Sequence, residues 1–178
     1  MSEKELIEGC IRNDKHCQRA LFEQFAGKML VVCMRYSSSK MAAEDILQEG
    51  FIKLFKSIST FRFQGSFEGW VRRIFVNTAL SQYRFASSQN EVSMPENAEE
   101  DFEEAAIVDK LSVEEILKLI DSLPSGYKVV FNLYAIEGYS HKEIAEMLHI
   151  NEGTSRSQFA KARLALKKKI IETEVILS

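Results

Sequence analysis

Arg156, Ser157, Ala160, Lys161 and Arg163 fall at helical spacing in the stretch NEGTSRSQFAKARLALKKK. They put long cationic donors around one short hydroxyl and one small side chain. This is the chemistry of groove reading: Arg and Lys donate to base edges and phosphates, Ser contacts at close range, and Ala leaves room for a helix to enter. Lys167, Lys168 and Lys169 extend the charge toward the helix C-terminus, where cations also suit the macrodipole. A helical hairpin with a solvated basic face has the same composition, and fold alone does not fix function.

A second set lies in FRFQGSFEGWVRRIFVNTALSQYRF, from Phe61 to Phe85. Seven of these 25 residues are aromatic against 18 in the whole chain, and four Arg accompany the single acid Glu68. Phe67, Trp70, Val71, Ile74 and Phe75 recur at i, i+3, i+4, i+7 and i+8, so most of the rings are expected in a core. Arg73, Asn77, Leu80 and Arg84 are left on the opposite face, and Phe61 and Phe63 in the loop before it. Cations and an amide along one helix, with loop aromatics, are the parts needed to track a phosphate backbone and hold an unstacked base. An aromatic core with solvated Arg is the plainer alternative.

A third stripe, Asp45, Gln48, Glu49, Ile52 and Lys56, runs along the helix predicted from Met41 to Ser57, opposite Leu47, Gly50, Phe51, Leu54 and Ile58. It reads either as a solvated face or as a small docking surface around an exposed Ile. Metal chemistry is not expected. Cys10, Cys17, Cys33 and His16 match no common zinc spacing, and Cys10 and Cys33 fall on apolar stripes. No nucleotide-binding, metalloprotease or nucleophile-elbow motif is present, so neither an enzyme nor a cofactor is expected.

The elements that must position these sets read as helices throughout. Two Pro, eight Gly and few β-branched runs in 178 residues favour an all-α chain. Ser140 and Glu143 form an S-x-x-E capping box ahead of Ile144, Ala145 and Leu148, and this helix should stop near His149. Asn151 then caps a second helix with Phe159, Ala162 and Leu166 inward. Two short helices joined by so tight a turn are a helix-turn-helix, with small Ala145 permitting a close crossing. Before them, Val113, Ile116, Leu117 and Ile120 restart the helical period, Pro124 opens a helix carrying Val129, Val130, Leu133 and Ile136, and Gly138 closes it. At the N-terminus, Leu6, Ile7, Cys10 and Ile11 precede a turn at Asn13 and Asp14. A longer helix follows with Leu21, Phe22, Phe25, Met29, Val32, Cys33 and Tyr36 at its core.

Charge divides the chain. Residues 1–90 carry 13 Lys+Arg against 9 Asp+Glu, residues 91–121 carry 2 against 11, and residues 122–178 carry 8 against 6. Two mildly basic blocks thus flank an acidic connector, and a net charge of −3 argues against bulk coating of nucleic acid. SSQNEVSMPENAEEDFEEAAIVD is too charged to pack and reads as a linker. Domains are accordingly expected at 1–87 and 111–178, joined by an acidic flexible linker over 88–110. No apolar run approaches the ~20 residues of a membrane span, and the first ten residues do not read as a signal peptide. A cytoplasmic protein with no membrane insertion is expected.

The order of these parts resembles the extracytoplasmic-function (ECF) sigma factors of bacterial RNA polymerase, over roughly residues 5–87 and 111–170. AAEDILQEGFIKLF resembles their polymerase-docking segment, FEGWVRRIFVNTALSQYR their promoter-melting segment, and LPSGYKVVFNLYAIEGYSHKEIAEMLHINEGTSRSQFAKAR their −35 reader. The resemblance implies that Asp45, Gln48, Glu49 and Phe51 contact the clamp helices of core RNA polymerase, with Ile52 on the same stripe. It implies that Trp70, Arg73 and Asn77 handle the −10 element, joined by the loop Phe61 and Phe63 and by Arg84. It places Arg156, Ser157, Ala160 and Lys161, continued by Arg163, in the major groove of promoter DNA at −35, and Asn151, Gly153 and Thr154 at a helix N-terminus suited to phosphate. An anti-sigma factor that masks Asp45–Glu49 or the −35 helix is a further implied partner. His149 stands where many members have Gly, Ser155 where Val is frequent and Gln158 where Arg is frequent. Gly50, at a position commonly apolar, is expected to weaken its helix by up to ~1 kcal/mol relative to Ala. The alternative function is an autonomous helix-turn-helix regulator, which leaves the stripes at Asp45–Glu49 and Arg73–Arg84 without a role.

Overall fold

The computed structural model describes residues 1–89 and 113–176. All regular structure among them is helical, and the chain parts into two compact units between Glu91 and Val92. The first unit holds α1 (Glu3–Ile11), α2 (Lys15–Tyr36), α3 (Lys40–Ser57), a 3₁₀ turn (Ile58–Thr60) and α4 (Phe67–Gln89). The second holds α5 (Val113–Asp121), α6 (Ser125–Phe131), a π-helical turn (Asn132–Ile136), α7 (His141–Leu148) and α8 (Glu152–Ile176). α4 extends two residues past position 87; the rest of the acidic stretch expected as a linker lies outside the described residues.

Short polar side chains set the helix starts in the first unit. Ser2 and Glu5 close a capping box on α1, Asp14 accepts from the His16 and Cys17 amides to open α2, Ser39 caps α3, and the Ser66 hydroxyl accepts from the Gly69 amide. Asn13 turns the chain between α1 and α2 at φ 60°, a left-handed conformation that Asn tolerates better than most. Leu21, Phe25, Met29, Val32 and Cys33 of α2 meet Ile46, Phe51 and Leu54 of α3 and Phe67, Val71, Phe75 and Leu80 of α4 in a core where each is at most 5% exposed.

Three expectations are corrected here. Phe22 is 45% exposed: it sits at the margin of the core, its ring 4.6 Å from that of Phe51. Leu80, expected beside Asn77 on the outer face of α4, is fully buried. Gly50 is a close-approach site rather than a weak point. A Cβ built there would lie 2.4 Å from the Phe75 ring, and Phe75 is itself wholly buried and has nowhere to move. Overpacking therefore outweighs the gain in helix propensity. Gly50→Ala is expected to destabilise the N-terminal unit by about 1–3 kcal/mol, read from urea melts of the two proteins; a variant as stable as the parent would refute this packing argument.

In the second unit Ile120, Leu123, Ala162 and Leu166 form the buried centre, with Ile116, Tyr127, Phe131 and Ile136 packed on it. Leu117 lies outside this cluster at 38% exposure, unlike its expected place. Val129, Val130 and Leu133 are buried under the helix-turn-helix as expected. What their spacing did not reveal is that the helix widens after Phe131 into a π-helical turn. The Glu137 amide reaches back five residues to the Asn132 carbonyl at 2.9 Å, and Gly138 then reverses the chain at φ 79°.

Candidate nucleic-acid and partner interface

The helix-turn-helix is built as its residues require. Ser140 and Glu143 complete the capping box of α7, and the Ser140 hydroxyl also donates to Glu143 Oε2 at 2.8 Å. α7 ends on His149 in the left-handed conformation, φ 57° and ψ 41°, a place that Gly takes most readily. The Asn151 Oδ1 accepts from the Thr154 amide at 2.7 Å and from its hydroxyl at 2.9 Å, which starts α8.

Ile144 and Ala145 of α7 are buried, and so is Ala162 of α8, which packs with Ile120, Leu123 and Leu166. On the other side of α8, Asn151, Gly153, Arg156 and Arg163 are exposed, and Thr154, Ser157, Ala160 and Lys161 are half-buried. All eight residues expected to face DNA are thus at the surface of one helix and its cap. Arg156 pairs with Glu152 one turn earlier. The Ser157 hydroxyl donates to the Thr154 carbonyl at 3.1 Å, so its remaining capacity toward a ligand is as an acceptor.

The expected set around α4 is brought together only in part. Phe61 is 7% exposed, its ring 5.0 Å from Phe67 and 5.4 Å from Trp70, so it belongs to the core instead of the loop surface. Phe63 is 49% exposed and adopts φ 55°, with Gly65 at φ 84° two residues on. A left-handed Phe is costly and is held by its surroundings, here by contact with the Phe61 ring at 5.2 Å. Trp70 is half-buried; Arg73 and Asn77 are exposed one turn apart; Arg84 is half-buried with Nη2 3.4 Å from the Ser81 hydroxyl.

On α3, Asp45, Gln48 and Ile52 are exposed, with Ile52 at 55%. Phe51 is not on this stripe: it is 5% exposed and packs against Phe22, Phe55 and Phe75. Glu49 is half-buried and tied within the unit, 2.6 Å from Lys53 Nζ and accepting from Gln82 Nε2 of α4 at 3.1 Å. Those two bonds, Lys53 first, hold its carboxyl below the usual range. Met41, 73% exposed, extends the stripe by one turn and was missed; the 41, 45, 48, 52 spacing was its signal.

Sequence reasoning also missed a pair between α7 and α8. Ser155 is fully buried and its Oγ lies 3.0 Å from His141 Nδ1. Burial, reinforced by Arg156 and opposed by Glu152, pushes the His141 pKa down. The signal available was polar Ser155 and Gln158 at inward positions of an otherwise apolar stripe. Gln158 is 2% exposed, and its Oε1 has no hydrogen-bond partner among the described residues.

Among the described residues no group of three or more His, Cys, Asp or Glu is placed to hold a metal ion, and no helix is long and apolar enough to cross a membrane. Cys10, Cys17 and Cys33 are all buried free thiols. Burial pushes Cys10 up to about 11, with Cys17 and Asp14 adding to it, and Cys33 up to about 12.

Residues 21–89 match the family model described as Sigma-70 region 2, and residues 113–166 the one described as Sigma-70, region 4. The chain is 30% identical over 183 residues to the ECF RNA polymerase sigma-E factor of Haemophilus influenzae, covering 96% of each protein. It is 29% identical over 183 residues to that of Escherichia coli, covering 96% of this chain and 95% of that protein. To the ECF RNA polymerase sigma factor SigE of Mycolicibacterium smegmatis it is 32% identical over 152 residues, 83% of this chain and 59% of that one. Among solved structures, CnrH in complex with the cytosolic domain of CnrY matches with a TM-score of 0.52 at 17% identity, over 96% of this chain and 97% of that one. The sigma factor RpoE from Bartonella quintana, solved with the anti-sigma factor NepR, matches with a TM-score of 0.52 at 18% identity, over 86% and 96%. At these identities the structural likeness is one of fold.

Proposed function

Because the chain belongs to the ECF sigma factors of the sigma-70 family, and so is a non-enzymatic subunit of transcription initiation, we propose that it reads its promoters at two places. α8 reads the −35 element as duplex, and α4 with the loop before it handles the −10 element as an opened strand. The observation that carries this reading is the outer side of α8, where Arg156, Ser157, Ala160 and Lys161 share one accessible surface with the capped N-terminus at Asn151–Thr154. Helix N-termini suit phosphates, and an Arg or Lys on the first turns suits guanine. Ser157, left as an acceptor, suits a base amine.

Phe63 is the aromatic offered to an extruded base, with Asn77 and Arg73 one turn apart on α4 and Trp70 backing the loop; Phe61 supports that loop from below. Asp45, Gln48 and Ile52, extended by Met41, form the docking stripe for core RNA polymerase. Glu49 and Phe51 hold that stripe in place from within the unit. Unstacking a base costs a few kcal/mol, which is why the N-terminal unit acts with polymerase. In this reading the domains are residues 1–87 and 111–178 on an acidic tether at 88–110, and two modest contacts gain affinity through effective concentration. A partner of the kind solved with the Bartonella protein, an anti-sigma factor, is proposed for this chain also.

The direct test is transcription with purified core polymerase on genomic templates, followed by sequencing of the RNA 5′ ends. Discrete new start sites preceded by shared −35 and −10 sequences are expected. A protein that starts no RNA with core polymerase yet shifts duplex DNA alone would instead be the autonomous regulator.

A further inference from the structure

The inner side of α8 carries a polar contact where apolar packing is the ordinary solution. Ser155 Oγ is fully buried and 3.0 Å from His141 Nδ1. His141 is the first residue of α7, so its backbone is fixed by the Ser140–Glu143 capping box. Its ring stacks on Tyr134 with centroids 4.3 Å apart and planes 12° apart, and lies 5.8 Å from Phe159. Tyr134 reaches this position from the π-helical turn and also touches Phe159, at 4.5 Å. Three elements thus converge on one imidazole, and a π-helical turn often marks a functional site.

Leverage follows from the chain order. Ser155 points inward and the next residue, Arg156, points outward, about 100° around the same helix. Any roll of α8 that breaks the inner hydrogen bond swings Arg156, Ser157 and Lys161 through the same angle. At a side-chain radius of ~5–6 Å a 10° roll moves them by about 1 Å, enough to spoil a bidentate contact to a base edge. Apolar packing is tolerant of such a roll; a hydrogen bond to a buried hydroxyl is not, because the hydroxyl has no water to turn to.

We propose that His141 is a positioning residue for promoter recognition: through Ser155 it fixes the roll of α8 on α7, and with it the direction in which the reading face points. This rests on the reading of α8 as the −35 helix. The groups facing the imidazole are Ser155, Glu152 and Arg156 of α8 and the Tyr134 ring of the π-helical turn.

The experiment uses the full chain with core polymerase on two templates, one with the intact −35 sequence found from its own start sites and one with that sequence scrambled. The readout is the ratio of initiation on the two. His141→Phe keeps a stacking ring but removes the hydrogen bond, and is expected to reduce the ratio about 10-fold while initiation on the scrambled template stays unchanged. His141→Asn, whose amide can still reach Ser155, is expected to restore the ratio to within about threefold of the parent. Should His141→Phe melt below the assay temperature, Ser155→Ala, which leaves the ring stack in place, serves instead and should lower the ratio likewise. A ratio within twofold of the parent in His141→Phe or Ser155→Ala overturns the proposal. If the parent itself shows no preference for the intact template, the −35 reading of α8 fails, and the positioning role fails with it.

Discussion

Replacing Arg156 and Lys161 together by alanine is expected to lower run-off transcription at a −35-dependent promoter by on the order of 100-fold, with binding to core polymerase unchanged. Each cationic contact to a base edge is worth about 1–3 kcal/mol, so losing two removes roughly 30-fold at the lower end of that range and passes a hundredfold at about 1.4 kcal/mol each. The fold should not suffer. Arg156 is exposed and its pairing with Glu152 is an i,i+4 surface pair, worth only a few tenths of a kcal/mol. Lys161 is half-buried on the same outer side. If both cations touch DNA, the salt dependence of promoter binding should also become shallower by close to two counterions. Transcription and filter binding across a salt series measure both effects. Unchanged promoter use in the double variant would remove α8 from the account of specificity.

Ile52→Asp is expected to weaken association with core polymerase about 100-fold while leaving the melting temperature within experimental scatter. The side chain is 55% exposed and lies on a stripe with Met41, Asp45 and Gln48. Covering an isoleucine contributes ~1.5–3 kcal/mol. A carboxylate in its place must be desolvated under the partner at further cost. Interfaces concentrate their energy in such central apolar residues within a polar rim. Fluorescence anisotropy of the labelled protein titrated with core polymerase gives the two dissociation constants. A variant that binds like the parent would show that α3 does not dock. Phe51→Asp is the instructive contrast, because Phe51 lies in the core against Phe75 and its loss should unfold the N-terminal unit instead.

The parts of the molecule legible in the sequence are those set by local chemistry. Ser140 with Glu143, Asn151 with Thr154, and the Ile144, Ala145, Leu148 spacing each announce their role within a turn or two of helix. Parts that depend on a partner far along the chain were not legible. Gly50 reads as a loss of helix propensity until Phe75, on another helix, is found lying over it. Phe61 and Phe63 are the same residue type two positions apart in a loop, where no period separates inside from outside. Leu80 lies on the border of two faces of α4, and only the width of the core decides its side. The π-helical turn escaped because Val129, Val130, Leu133 and Ile136 satisfy an α-helical spacing nearly as well. His141 and Ser155 are 14 residues apart, and a polar residue at a core position signals a partner without naming it.

The interior of the protein keeps its cysteines out of reach. Its three native thiols are shielded from solvent, and two of them are held protonated well above neutral pH, where a thiol is a poor nucleophile. A cysteine introduced at an exposed position such as Ser59 or Ser122 is therefore the one that maleimide dyes find first. The unaltered background can carry a fluorophore on either unit, so the engagement of each can be timed separately during a single initiation event.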